Sequence, residues 1–181
     1  MVARLSPAQP PFAAEIQERL DSIMPKGTPP LILFTSLARD KRLFERFMAG
    51  SLLDPGQLTL RQREIVIDRT TALSGSEYEW GVHITFFAAR AGLSEAQIRS
   101  TTTAEADEPS WTDQDRILIR ACDQSHHTCD LDDGMWQELR VHFSEEAILE
   151  VLMLAGYYRT VSYLTNALRL PLETYSARFP E

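Results

Sequence analysis

Apolar residues along this chain recur at three- and four-residue intervals, the spacing of one helix face. Ile16, Leu20 and Ile23 form a short amphipathic run that stops at Pro25, Gly27, Pro29 and Pro30. Between Leu31 and Leu53 the same period carries Leu33, Phe34, Leu37, Phe44, Phe47 and Met48, with Asp40 placed to restart a second helix and Asp54, Pro55 and Gly56 forming a turn. Start signals then follow one another: Thr59 with Gln62 opens a helix to about Leu73, and Ser76 with Glu79 opens one to about Ala91, stopped by Gly92. Ser94 with Gln97, Thr112 with Asp115, Asp132 or Asp133, and Ser144 open four more. With no strand-period run and no Asn-Gly hairpin, the pattern predicts an all-α single compact domain of about seven or eight helices.

The last helix runs from Ser144 toward Pro171 and is apolar nearly all round at Val151 to Ala155, the pattern of a central helix or a subunit interface. At the other end Pro7, Pro10 and Pro11 block helix propagation, so residues 1–11 read as a loose arm.

Composition narrows the functions. The chain has 181 residues and a net charge of −8, the reverse of the basic footprint that phosphate backbones require, so nucleic acid is not an expected partner. The acidity is regional: residues 101–150 hold 13 acids against three arginines, read as solvated helix faces. Neither a signal-peptide core nor a membrane-length apolar run is present, so the expectation is a cytoplasmic protein that does not enter membranes. The eight glycines are never closer than six positions, which excludes dinucleotide fingerprints and phosphate loops. The segment from Asp130 departs from a calcium loop at Met135 and Val141. Cys122, His126, His127 and Cys129 match no zinc spacing and read as a polar helix end, so no metal is expected.

One helix keeps chemical interest. Ser76, Glu79, Trp80, His83, Phe86, Phe87 and Arg90 fall at spacings of three or four and share a face, so polar groups sit in an aromatic stripe. Glu79 and His83, one turn apart and partly desolvated, could hold an acid and a base near neutral pH. Taken by themselves the same residues read first as a helix cap and a satisfied core histidine, since pairs four apart are ordinary helix neighbours, and Glu64, flanked by Arg63 and Ile65, reads as an ordinary surface acid.

The run LTLRQREIVIDRTTALSGSEYEWGVHITFFAARAGLSEAQI, Leu58 to Ile98, resembles the carboxymuconolactone decarboxylase-like family, which shares its fold with the D-type alkylhydroperoxidases. The features that carry the likeness are R-x-R-E at Arg61 to Glu64, Ser76 ahead of Y-E-W-x-x-H at Tyr78 to His83, and A-G-L-S at Ala91 to Ser94. Flanking runs at Leu33 to Phe44 and Ala155 to Leu168 extend it to roughly residues 31–172, leaving 1–30 as an arm with a short helix and 173–181 as a tail.

The resemblance implies an all-helical, oligomerising domain, a homo-oligomer built as a trimer or hexamer, acting on a small-molecule substrate without a cofactor. Glu64 matches the family's proton-relaying acid and His83 its histidine. The peroxidase branch carries cysteines where this chain has Ser76 and Glu79, so both redox atoms are missing and that branch is disfavoured. The decarboxylase branch has a glutamate four residues before its histidine, as here. The expectation is therefore a carboxy-lyase or isomerase of a small carboxylated lactone or related enolisable compound. His83 would be the general acid or base, Glu64 and Glu79 would orient it, and Ser76, Tyr78, Trp80, Arg61 and Arg90 would contact substrate. The alternatives are a peroxidase-type antioxidant working through Cys122 and Cys129, and a non-catalytic oligomeric binding protein.

Overall fold

Most of the expected start signals are used as hydrogen-bonded caps. Thr59, Ser94 and Thr112 each accept a backbone N–H three residues on, and the side chains of Gln62, Gln97 and Asp115 return the bond. Each box satisfies two donors that a helix start leaves bare, and the capping side chain contributes ~0.5–2 kcal/mol. Asp40, Asp132 and Ser144 cap singly, accepting from Leu43, Met135 and Ala147.

The computed structural model describes residues 3–103 and 109–180. Among them are nine helices and no strand: α1 (Ala14–Ile23), α2 (Ile32–Leu37), α3 (Lys41–Ala49), α4 (Leu60–Leu73), α5 (Glu77–Phe87), α6 (Glu95–Ser100), α7 (Asp113–Thr128), α8 (Asp133–His142) and α9 (Glu145–Ala167). The all-α class holds; the larger count arises because Asp40 does end one helix and start another. Met1, Val2 and Glu181 of the arm and tail, and Glu105, Asp107 and Glu108 of the acidic stretch, lie outside the described residues. Among the described residues no helix is long and apolar enough to cross a membrane.

The centre of the fold is α4, which packs against α5, α7 and α9. All its residues from Glu64 to Thr71 are buried, three of them charged types. Such burial is tolerable only where the polar groups find partners. Arg69 does: it donates to Asp123 at 2.6 Å and to the Thr101 carbonyl at 2.9 Å. The most enclosed helix is thus one with a far more polar sequence than α9, for which a central place or a subunit interface is expected. α9 buries Val151, Leu154, Tyr158 and Val161 on one side. On the other it leaves Leu149, Met153 and Tyr163 about 60% exposed (60%, 63% and 61%), an apolar row with no cover in the monomer.

Both chain ends are tied down. The N-terminal segment, expected to be loose, bonds through Arg4 N–H to the Leu168 carbonyl and Ala8 N–H to the Thr35 carbonyl, each at 2.9 Å. The arm pairs outward because its prolines forbid pairing within a helix of its own. Residues 173–179 form a strap over α5. Ala177 N–H is shared between the Gly81 carbonyl and Thr85 Oγ1, at 3.2 and 2.8 Å, and Phe179 packs on Trp80. A Cβ on Gly81 would stand 2.2 Å from the Ala177 carbonyl oxygen, so only glycine lets the strap lie this close.

Candidate active site

α4 and α5 cross so that Glu64 faces His83 while Glu79 stands one turn before it. His83 Nδ1 lies 2.7 Å from Glu64 Oε2, and Nε2 lies 3.5 Å from Glu79 Oε1. All three are buried: Glu64 at 0%, His83 at 3% and Glu79 at 6% exposure. The His83 ring stacks on Phe87 with centroids 5.2 Å apart and meets the edge of Tyr158 at 5.0 Å. Burial alone would push the imidazole pKa down. The charge and hydrogen bond of Glu64, followed by those of Glu79, overcome that and raise it to about 10. At neutral pH the group is therefore an imidazolium, with Nδ1–H donated to Glu64 and Nε2–H held beside Glu79.

His83 and Glu79 line one side of a cavity of about 730 Å³. Its walls are mainly apolar, built from Phe34 of α2, Phe47 of α3, Val82 and Phe86 of α5, and Tyr157 and Tyr158 of α9. Glu64 is not part of the lining. It stands behind the histidine and reaches the cavity only through it.

A fourth ionisable group joins the cluster without any signal in the motif. Asp68 is one turn along α4 from Glu64 and 1% exposed, and neither carboxyl oxygen has a hydrogen-bond partner among the described residues. Burial holds its pKa well above the ordinary carboxyl value; Glu64's charge adds to this and His83's opposes it. Asp68 is thus a buried acid, held toward its neutral form, behind the Glu64–His83 contact. Its spacing of four from Glu64 is the clue in the sequence, visible only once that face of α4 is known to be buried.

The remaining expected contacts divide sharply. Arg90 and, as well, Tyr157 and Tyr158 line the cavity. Four others do not. Ser76 is the residue before α5, but its hydroxyl pairs with Thr165 Oγ1 at 2.8 Å rather than with a backbone donor, because Glu79 is turned to His83 and no reciprocal box forms. Tyr78 donates to Glu173 and accepts from Leu33 N–H at 3.1 Å. Trp80 Nε1–H donates to Thr101 Oγ1 at 2.9 Å. Arg61 pairs with Asp115 at 3.0 Å and donates to the Gly92 carbonyl at 2.9 Å. These four side chains hold elements together outside the cavity lining. Asn166 also lies outside it, donating to the Ser74 carbonyl at 2.9 Å.

The two cysteines are free and sit elsewhere. Cys122 is buried in α7, which pushes its thiol up to about 12, and Cys129 ends that helix in the left-handed region at φ 56°. Among the described residues no group of three or more histidine, cysteine or acidic side chains is arranged to hold a metal ion.

Residues 41–111 match the carboxymuconolactone decarboxylase family. No curated protein matches the chain by sequence. Solved structures share its fold. An uncharacterized peroxidase-related protein from Silicibacter sp. TM1040 superposes with a TM-score of 0.82 at 14% identity, over 95% of this chain and 92% of that one. A putative antioxidant defence protein AhpD from Agrobacterium tumefaciens gives 0.68 at 22% identity, over 75% and 94%. The debrominase Bmp8 gives 0.79 at 14%, over 97% and 95%. Residues 41–111 thus resemble the carboxymuconolactone decarboxylase family, and the chain shares the all-helical fold of AhpD-like structures.

Proposed function

We propose that this protein is a cofactor-free acid–base enzyme that decarboxylates or isomerises an enolisable, carboxylated compound, with His83 as the proton donor. One observation carries the reading: a buried imidazolium, clamped between two carboxylates, presents itself to an apolar cavity. In the decarboxylation, the carbon–carboxylate bond breaks and its electron pair passes into the neighbouring carbonyl as an enolate. Carbon dioxide leaves. The Nε2–H of His83 then delivers its proton to the carbon, and solvent returns one to the ring. Glu64 holds the ring's tautomer and orientation through Nδ1, and Glu79, whose Oε2 has no hydrogen-bond partner among the described residues, orients a substrate hydroxyl.

A positioned acid of this kind contributes ~10²–10⁴-fold. The test is turnover of carboxylated lactones and β-keto acids in D₂O, following carbon dioxide release and deuterium at the protonated carbon. Turnover should vanish in His83→Ala with the helical fold intact, and should persist in a Cys122→Ser, Cys129→Ser double variant. Full activity in His83→Ala would overturn the assignment. A peroxidase role finds less support, because Ser76 and Glu79 stand at the redox positions and the buried Cys122 thiol is held up at about 12, far from a ready thiolate.

We also propose that the protein self-associates through α9. The exposed row of Leu149, Met153 and Tyr163 supports this, being apolar side chains left uncovered on a helix whose opposite side is buried.

A further inference from the structure

The cavity beside His83 is much larger than a small lactone requires. A void of ~150 Å³ accommodates benzene, so about 730 Å³ offers room for roughly 25 non-hydrogen atoms. A single-ring lactone acid would fill a minor part and leave Phe34 and Phe47, contributed by α2 and α3, without contact.

The charges of the lining are unevenly placed. Toward the protein interior stand His83 and the carboxylate of Glu79. Toward solvent stand the exposed Arg19 of α1 and Arg90 just beyond α5, with Asp54 the acid on that side. The Arg90 guanidinium lies over the Phe87 ring at 5.5 Å, and the same ring stacks on His83 at 5.2 Å. Phe87 therefore contacts both the guanidinium and the imidazole. No acid is paired with either arginine among the described residues, so their charge is directed to the cavity mouth or to solvent.

We propose that the substrate is an elongated, mainly apolar monoanion. Its acidic group rests on Arg90, with Arg19 adding to the positive field. Its hydrocarbon or aryl body lies along Phe34, Phe47 and Phe86. Its enolisable carbon reaches His83 from the inner end. This orientation keeps the anion away from Glu79, whose carboxylate would repel it. It rests on the isomerisation arm of the acid–base reading, since a carboxylate held on Arg90 is remote from the carbon that meets His83; the size and charge of the ligand follow from the cavity itself.

The test is calorimetric binding of straight-chain and ω-phenyl alkanoates, from about six to about fourteen carbons, to the full chain, beside their methyl esters. Affinity should rise about fourfold per methylene, the equivalent of ~0.8 kcal/mol per buried CH₂, until the cavity is full. The esters should bind at least ~10-fold more weakly than the acids, as should every acid to Arg90→Gln, consistent with loss of a charge-assisted bond. Arg99→Gln, an exposed arginine on α6 away from the cavity, should bind as the wild type does. Equal affinity for acid and ester, or no dependence on length, would overturn the proposal. Failure of the acid–base reading looks different: turnover indifferent to His83→Ala, with the length and charge dependence of binding unchanged.

Discussion

Replacing Glu64 by glutamine removes one charge from the buried cluster while preserving the side chain's shape. With Nδ1 2.7 Å from the carboxylate oxygen, the charge centres are ~4 Å apart, an attraction of about 4 kcal/mol at an effective dielectric of about 20, or about three pKa units. The His83 pKa should therefore fall from about 10 to roughly 7 in Glu64→Gln, the residual support of Glu79 offsetting part of the burial penalty. Titration followed by NMR of the imidazole carbon-bound protons reads this directly and needs no substrate. The chain has four histidines, so His83→Asn identifies the resonance. Stability carries the same signature. A group whose folded pKa is raised contributes fully below its unfolded value of 6.5, and the contribution is lost as pH climbs through about 10. The wild type's advantage over Glu64→Gln in urea should accordingly shrink between pH 7 and pH 10, ranges set by that shift. A wild-type His83 titrating near 6.5, or one unmoved by Glu64→Gln, would refute the clamped imidazolium and with it the resting-state acid.

Other perturbations separate support from chemistry. Tyr78→Phe leaves a buried Glu173 carboxylate without its phenol donor and should cost ~1–3 kcal/mol in denaturant titration while ligand binding in the cavity is retained; a binding loss without a stability loss would make Tyr78 a ligand contact instead. Gly81→Ala drives a methyl into the Ala177 carbonyl and should cost ~1–3 kcal/mol with the strap displaced, seen as faster hydrogen exchange at Ala177. Arg69→Leu strands Asp123 and two carbonyls and should cost ~3–5 kcal/mol; a loss under ~1 kcal/mol would mean that α4 does not depend on this buried cation. Met153→Glu places a charge in the exposed row of α9 and should lower the mass in multi-angle light scattering without loss of helicity; an unchanged mass would move the interface elsewhere.

Capping chemistry was readable because it is local: Thr59, Ser94 and Thr112 satisfy donors three residues away whatever surrounds them. Burial was not, because it depends on what packs from afar. Glu64 and Asp68 sit among Arg63, Arg69 and Thr70 in a stretch whose polarity reads as solvent-facing, yet α5, α7 and α9 enclose it. The apolar run of α9 left two readings open, a centre or a subunit interface, and periodicity could not show that one side packs on α4 while the other stays uncovered. Ser76 shows the limit of a motif: the right residue at the right spacing is diverted when a tertiary partner, Thr165, offers a buried bond and Glu79 is claimed by His83. The cavity walls contributed by Phe34 and Phe47 had no signature beyond helical period, since α2 and α3 adjoin α5 only in space.

The strap over α5 sets an order of events during synthesis. Helices α4 and α5, with Glu64, Glu79 and His83, leave the ribosome about ninety residues before Ala177 arrives to bond Gly81 and Thr85. Until then α5 has an open groove at Gly81 and Trp80 has no Phe179 against it. The acid and its clamp are thus encoded early but locked late, and a nascent chain halted before residue 173 would carry every residue of the cluster without the brace on the helix that aims it.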